Sequence, residues 1–118
     1  MSNKGLKKKL DDLWGTYIRG RSYYLCEKCG MYGVNAHHIY TRAKECIRWE
    51  PLNGVALCPY CHTQSSVFSA HLTPDLFMDW LHEDRQQEMH DLIIMKRNNK
   101  KLYLDDLKEI EKRLTIEL

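Results

Sequence analysis

The first twenty residues place apolar and charged side chains at the spacing of a helix. Apolar residues recur every three or four positions, so they lie on one stripe, and lysines and aspartates occupy most of the other positions. Gly20 is a residue type at which helices often end. The pattern predicts an amphipathic helix within residues 1–20. Its apolar stripe consists of Leu6, Leu10, Leu13, Trp14, Tyr17 and Ile18.

Helical spacing returns in residues 73–118, which are predicted to form a helical C-terminal part. Thr73 followed by Pro74 predicts a helix start, with the threonine as N-cap and the proline in the first turn. Further helices are predicted over residues 84–97 and from about Asp105 onward, with two asparagines between them. The side chains expected to face inward are Leu76, Phe77, Trp80, Leu81, Met89, Leu92, Ile93, Met95, Leu104, Leu107, Ile110 and Leu114.

The segment between these helical parts, residues 21–68, has no sustained helical period. Glycines punctuate it, and the stretches VNAHHIY and GVALC have the composition of short strands. A chain of 118 residues is the length of one domain. We therefore predict a single α+β domain spanning residues 1–118, with a turn-rich centre between helices.

The overall charge and hydropathy say little about function, whereas the positions of charged and apolar residues along the chain say more. The net charge is only +2, but basic residues cluster near the N-terminus, around the central cysteines and histidines, and within residues 96–101. Each cluster can equally be a solvated helix face. No apolar run follows the charged N-terminal residues, and no segment approaches the roughly 18 apolar residues that cross a membrane. We therefore expect a cytoplasmic protein.

Four of the five cysteines form two CxxC pairs, with 28 residues between the pairs. Disulfides are not expected in a reducing compartment. Zinc takes four ligands in a closed tetrahedron, and each CxxC turn can present two thiolates to one ion. A thioredoxin-like redox site fits poorly, because such sites use a single CxxC. We predict one structural zinc ion on Cys26, Cys29, Cys58 and Cys61, and no special role for Cys46.

A set of histidines and one asparagine lies within this cysteine framework. Fourteen residues separate His38 from Asn53, and eight separate Asn53 from His62. In this order the chain resembles the HNH endonucleases, the ββα-metal nucleases, many of which carry two CxxC knuckles. The resemblance covers residues 26–62. It implies a small zinc-stabilised ββα-metal core within residues 21–68, flanked by N- and C-terminal helices.

A narrower likeness extends to about residue 81. The stretch RWEPLNGVALCPYCH followed by AHLTPDLFMDW is similar to the phage Rap/NinG recombination nucleases. This likeness implies DNA recombination as the setting and branched DNA as the substrate, with the host cytoplasm as the location if a phage encodes the protein.

The HNH resemblance implies a role for each residue of the motif. His38 is expected to be the general base, since a histidine has a pKa near neutrality. His37 and His62 are expected to bind the catalytic ion. Asn53 is expected to span the loop and to hold the base in its tautomer and orientation. Adjacent strand residues point to opposite faces, which suits two histidines with different tasks.

Other interpretations of the histidines stay open. His37 or His38 can complete a Cys3His zinc shell, and His62 can cap a helix or lie on the surface. Some HNH enzymes have a further ligand one helical turn after the last histidine, where this chain has Ser66, a poor ligand. His71 can reach the site from the start of the next helix, or it can be a plain surface residue.

Two protein ligands would leave most of the ion's shell to water and phosphate. This favours Mg²⁺ or Mn²⁺ as the catalytic ion, although nickel, cobalt and zinc also remain possible. No small-molecule cofactor is expected. His82 and His90 lie in helical segments, and we interpret them as bystanders.

DNA contacts are expected from the basic residues in the loop between the base and Asn53. Arg42, Lys44 and Arg48 flank the expected scissile phosphate, and Arg48 is the first candidate for a phosphate clamp. Arg48 can instead stack on Trp49. Nothing in the sequence resembles a helix that reads a DNA groove, so we expect recognition of DNA shape, and an affinity that falls with salt.

Two other functions and an oligomer are also compatible with the sequence. A zinc-knuckle module that binds nucleic acid without cutting it needs the cysteines and basic residues but not His38. A recombination adaptor would recruit a partner through its C-terminal helices. The amphipathic helices at both ends can form a homodimer, or they can be covered within one chain.

Overall fold

A computed structural model of the protein describes residues 3–117, and the side chains up to Ile116. The elements follow the predicted order of helix, turn-rich centre and helices, although the strands are shorter than the sequence stretches that predicted them. The helices are α1 (Asn3–Arg21), α2 (Pro74–Asp84), α3 (Gln86–Asn98) and α4 (Leu104–Glu117). The strands are β1 (Asn35–His38) and β2 (Gly54–Leu57), and short helical turns cover Glu45–Ile47, Pro51–Asn53 and Tyr60–Gln64.

The two strands form an antiparallel sheet in which His38 pairs with Gly54 and His37 pairs with Val55. Opposed residues in such a pair point to the same face, and successive residues alternate between faces. His37 and Val55 therefore share one face, and His38 and Gly54 share the other. All four residues of β2 are buried, because both faces of the sheet are covered.

One face of the sheet packs against α2 and α3. Val55 and Leu57 of β2 belong to a core cluster that also contains cysteines of the paired motifs and buried residues of both helices. This cluster comprises Cys26, Ile47, Val55, Leu57, Cys58, Cys61, Ala70, Phe77, Leu81, Met89 and Leu92.

The other face packs against α1, which in turn packs against α4. Ala56 of β2 joins a second cluster with the buried stripe of α1, and the last helix completes it. The apolar faces of the first and last helices are thus covered within one chain. This cluster comprises Leu6, Leu10, Trp14, Ile18, Trp49, Ala56, Leu107 and Leu114.

Gly54 marks the closest approach of α1 to the sheet. A Cβ atom at this position would lie 2.7 Å from Trp14 Cζ2 and would collide with the end of the Ile18 side chain. Glycine is the residue that permits such an approach. Trp14 and Ile18 lie on the same face of the sheet as His38, so the close packing at Gly54 also sets the surroundings of that histidine.

Three inward positions were predicted wrongly, and the predicted N-cap of α2 is in place but makes no capping hydrogen bond with its side chain. Leu76 is 50% exposed, Leu104 is 41% exposed and Met95 is 37% exposed. Each lies within one helical turn of a buried residue of its own helix, namely Phe77, Leu107 and Leu92, so periodicity alone did not distinguish it from the buried stripe. Thr73 precedes α2 as predicted, but its hydroxyl bonds to the backbone of Ser69 rather than capping the helix.

In the described residues 3–117, no helix combines the length and the apolar character that crossing a bilayer requires.

Candidate metal centres

The four paired cysteines converge on one point. The sulfur atoms of Cys26, Cys29, Cys58 and Cys61 all lie within 4.8 Å of one another. The Sγ atoms of Cys29 and Cys58 are 3.6 Å apart. Sulfurs bound at 2.3 Å to a tetrahedral zinc ion stand roughly 3.8 Å apart, so this spacing fits zinc closely.

Local backbone structure creates this convergence. The N–H of Gly30 donates to the carbonyl of Cys26, and the chain turns back at Gly30 with φ +80°, a conformation that favours glycine. In the second pair, the N–H of Cys61 points at Cys58 Sγ, 3.4 Å away. Each CxxC turn therefore aims two sulfurs at the same point.

The protonation of these thiols also favours a cation. Burial would raise the pKa of Cys26, but backbone N–H groups that point at its sulfur lower this pKa to about 7. Burial raises the pKa of Cys61, and the neighbouring sulfurs add to the rise. Thiolates packed this closely repel one another unless a cation neutralises them, and zinc supplies that charge.

The cysteine cluster therefore can hold a structural zinc ion, as the sequence predicts. It contains no histidine, so the Cys3His interpretation is wrong for this arrangement. Cys46 lies outside the cluster, half-buried, with its sulfur 4.0 Å from the carbonyl of Met95.

Three histidines form a second cluster of possible metal ligands. Ring nitrogens of His37, His62 and His71 lie within 4.8 Å of one another. His37 Nδ1 and His62 Nε2 are 3.0 Å apart. Nitrogens bound to one ion at about 2.1 Å stand roughly 3.0–3.4 Å apart, so these two imidazoles already have the spacing of ligands to a common ion.

Backbone hydrogen bonds bring His71 to this cluster. The N–H of His71 donates to the carbonyl of His62, at 3.0 Å, and the N–H of Ala70 donates to the carbonyl of Cys61, at 2.9 Å. The chain after the helical turn at Tyr60–Gln64 thus folds back along that turn. Of the two interpretations of His71, the structure supports the one in which it reaches the site. Ser66 is exposed.

The imidazole of His37 is held neutral. Burial lowers its pKa to about 3, and the neighbouring histidines contribute to the shift. Burial also lowers the pKa of His62, with a smaller contribution from His71. A neutral imidazole offers a lone pair to a metal, so both rings are suited to ligation at physiological pH.

Asn35 is a neighbour of the cluster that the sequence analysis missed. Its side-chain nitrogen lies 3.3 Å from His62 Nδ1, which leaves Nε2 of that ring facing His37. When Nε2 ligates an ion, Nδ1 carries the proton and needs an acceptor, so the Asn35 amide would have to turn its oxygen toward the ring to orient it for ligation. Asn35 precedes His37 by two residues on β1, so strand alternation was a signal that could have found it.

The donor set bears on the choice of ion. Three imidazoles suit zinc, nickel or cobalt, whereas magnesium takes oxygen ligands. The expectation of Mg²⁺ or Mn²⁺ assumed two protein ligands, and nothing in this donor set favours magnesium. His82 and His90 are exposed and lie outside both clusters.

His38 lies on the opposite face of β1, where it is tightly packed. Its ring stacks on Trp14 of α1, with centroids 3.8 Å apart and an interplanar angle of 10°. Its Nε2 lies 2.8 Å from the carbonyl oxygen of Arg48. His37 and His38 nevertheless line one open cleft together with Thr41 and Arg42.

This contact fixes the tautomer of His38. A carbonyl oxygen only accepts, so Nε2 must carry the proton and Nδ1 carries the lone pair in the neutral ring. Burial lowers the pKa of His38, and the hydrogen bond to Arg48 partly opposes that shift. Within residues 3–117, no group hydrogen-bonds to Nδ1.

Asn53 spans the loop as predicted, but it does not contact His38 directly. Its fully buried side chain accepts from the N–H of Tyr40 and donates to the carbonyls of Tyr40 and Ile47. It therefore fixes both ends of the loop whose Arg48 carbonyl meets the histidine. The orientation of His38 depends on Asn53 through this loop.

The basic residues of the loop have different environments. Arg48 makes two hydrogen bonds to Asp11, at 2.7 Å and 3.0 Å, and its guanidinium lies 4.9 Å from the centre of the Trp49 ring. Stacking of Arg48 on Trp49 is thus observed. Arg42 and Lys44 are exposed, and Arg42 lies 3.4 Å from the same aspartate.

Asp11 is the second residue that sequence reasoning missed. Burial alone would raise its pKa, but hydrogen bonds from Arg48 and Trp49 and the charges of both arginines lower it. The aspartate therefore stays ionised and anchors the loop to α1. Its position among the lysines of an amphipathic helix gives no signal of that role.

The comparisons with known proteins do not identify a family. The chain matches no protein-family model, no curated protein and no solved structure. A functional conclusion must therefore rest on the residues and geometry described above.

Proposed function

We propose that the protein is an HNH-type, ββα-metal endonuclease that hydrolyses phosphodiester bonds of DNA. The observation that carries the proposal is the arrangement of two adjacent histidines on β1. His37 joins two other imidazoles in a possible metal site, while His38 lines the same cleft with its tautomer fixed. A site that holds an ion beside a separate base is the minimum that metal-assisted hydrolysis needs.

His38 acts as the general base in this proposal. Its Nδ1 takes a proton from the attacking water, whose oxygen forms a bond to phosphorus. The P–O3′ bond breaks, the leaving 3′-oxygen keeps the electron pair and takes a proton from a water molecule, and the products are a 5′-phosphate and a 3′-hydroxyl, as the family resemblance implies. Stacking on Trp14 and the Arg48 carbonyl keep the ring in one orientation during this transfer.

His37, His62 and His71 would hold the divalent cation. A cation bound there would neutralise the negative charge that develops on the phosphate and on the leaving oxygen. Their neutral imidazoles and their spacing support this role. Zinc, nickel, cobalt or manganese is the expected class of ion, and the four cysteines keep a separate zinc ion whose role is structural.

The proposed substrate is DNA, and branched recombination intermediates are its expected form. The basic side chains at the rim of the cleft support binding of a polyanion. The preference for branched DNA rests on the likeness to the phage Rap/NinG nucleases. A panel of linear, nicked, flapped and four-way DNAs, incubated with each divalent ion, tests this preference.

Nicking of supercoiled plasmid tests the activity itself. We expect nicking by the wild-type chain in the presence of manganese, cobalt, nickel or zinc, and a loss of about 100-fold or more in His38→Ala. His82→Ala is the matched control, since it removes an exposed histidine outside both clusters. Undiminished nicking by the His38 variant would contradict the proposal.

A second candidate function is that of a nucleic-acid-binding module without catalysis. Several large side chains near the first CxxC turn favour an interaction surface there: Tyr23 is 81% exposed, Tyr32 is 77% exposed and Met31 is 63% exposed. This function predicts DNA or RNA binding without cleavage in any ion. Binding that is unaffected by His38→Ala, together with no nicking by the wild-type chain, would favour it.

A further inference from the structure

A row of lysines runs along one side of helix α1. Lys4, Lys7 and Lys8 follow one another at helical spacing, and with Asp11 and Arg48 they line a single open groove. The groove presents four cations and one anion. Lys4 has no acidic partner among the described residues, and the Lys8 side chain is 79% exposed.

This groove connects to the cleft that holds the histidines. Arg42 lines the cleft beside His37 and His38, and its guanidinium lies 3.4 Å from Asp11, which lines the groove. Further along the same helix, Trp14 stacks on His38. A chain of contacts therefore leads from the row of lysines to the proposed base.

We propose that this groove binds the sugar–phosphate backbone of the DNA strand next to the scissile phosphate. The inference rests on the proposed nuclease function and adds a binding site to it. Lysine side chains suit a phosphate backbone because they act as mobile point charges that need no fixed geometry. Contacts of this type would position the DNA without reading its sequence.

The length of the row matches several phosphates. From Lys4 to Asp11, the residues of α1 that line the groove, the helix rises by about 10 Å, and one DNA strand advances roughly 3.4 Å per phosphate along the duplex axis. The groove thus extends over about three phosphates on one side of the cut. We expect a nuclease that needs a few nucleotides of DNA on that side.

Acidic side chains limit the charge of the groove but do not cancel it. Lys7 is paired with Glu45 at 3.0 Å, Lys8 with Asp12 at 3.2 Å, and Arg48 with Asp11 at 2.7 Å. The first two pairs are partly or largely exposed and are readily exchanged for a phosphate. Lys4 and Lys8 are therefore the side chains whose removal should affect DNA binding most while disturbing the fold least.

The test measures DNA affinity as a function of sodium chloride concentration. The protein is the His38→Ala chain, which should bind without cutting, and the probe is a fluorescent 20-base-pair duplex without added divalent ion. Lys4→Ala/Lys8→Ala is compared with Lys108→Ala/Lys112→Ala, which removes two exposed lysines of α4 that do not line the groove. Circular dichroism and thermal unfolding confirm that each variant is folded.

We expect the groove pair to weaken binding by roughly tenfold at moderate salt and to reduce the salt slope by about 1.8, and the α4 pair to change neither. An equal loss of DNA affinity in both double variants, or no loss in the groove pair, would contradict DNA binding in the groove. If the wild-type chain nicks plasmid while the groove pair binds normally, only this inference fails. If no chain binds or cuts DNA, the proposed function fails.

Discussion

On one face of the two-stranded sheet His37 meets two other histidines, and on the other face His38 lies flat against a tryptophan. The first face depends on backbone pairing after the helical turn and on the adjacent cysteine cluster. The second depends on α1, which supplies Trp14, and on Asp11, which anchors the loop. In the proposed mechanism, strand alternation therefore separates ion binding from proton transfer, and a different core supports each side of the sheet.

Because of this separation, a substitution on one face of the sheet should leave the property that belongs to the other face intact and measurable. Loss of the cysteine cluster should disturb the whole chain, loss of a ligand histidine should affect the ion, and changes in α1 should affect the base.

Removal of the cysteine cluster should have the largest effect. Cys58→Ser should lose the structural zinc ion and on the order of 5 kcal/mol of unfolding free energy, comparable with the stability of a small domain. Zinc content and thermal unfolding measure this. Cys46→Ser, which changes a thiol outside the cluster, should behave like the wild-type chain. A Cys58 variant that keeps its zinc and its melting temperature would show that the cluster is not a metal site.

Removal of a ligand histidine should abolish cleavage but leave the fold intact. His37→Ala should lower the nicking rate and the affinity for the ion at the histidine cluster, here called the second ion, by about 100-fold or more each. The structural zinc ion should be retained. His71 is exposed, so His71→Ala should have a smaller effect and lower the affinity for the ion by about tenfold. Calorimetric titration with cobalt measures the affinity. Equal affinity in His37→Ala and wild type would remove His37 from the metal site.

A methyl group at Gly54 should disturb the base face selectively. Gly54→Ala forces Trp14 and Ile18 away from the sheet and should cost about 1–3 kcal/mol of unfolding free energy. Nicking should fall while the affinity for the second ion is kept. Gly20→Ala is the matched control, because a Cβ atom at this position has no neighbour within 4 Å. Alanine also restricts the unfolded chain more than glycine does, so this substitution should leave the free energy of unfolding unchanged or raise it slightly.

The smallest effect is expected from the loop anchor. Asp11→Asn removes the ion pair with Arg48 and should cost about 1 kcal/mol at neutral pH. Because the pKa of Asp11 is lowered in the folded protein, this contribution is present at neutral pH and disappears as the pH falls below the ordinary value of 3.8. Denaturant unfolding at several pH values measures the difference. Asp12→Asn, on the exposed side of the helix, should have almost no effect, and an equal loss in both variants would argue against the anchor.

Much of this arrangement could be predicted from local sequence. The CxxC spacing predicted the cysteine cluster, and the period of α1 predicted its buried stripe, because both features are short-range. The contribution of His71 could not be decided, since it depends on backbone pairing between a helical turn and the loop that follows. Asp11 was missed because its partners lie 31 to 38 residues further along the chain. Leu76 and Leu104 were placed inside because periodicity identifies an apolar stripe but not its edges.

The central claim is that ion binding and proton transfer belong to different histidines of one dipeptide. It is tested most directly by measuring the affinity for the second ion and the rate of plasmid nicking in the same preparations of wild-type, His37→Ala and His38→Ala chains. We predict that His37→Ala loses both, and that His38→Ala binds the ion with wild-type affinity but does not nick. Retained nicking in His38→Ala, or loss of the ion from it, would contradict the account.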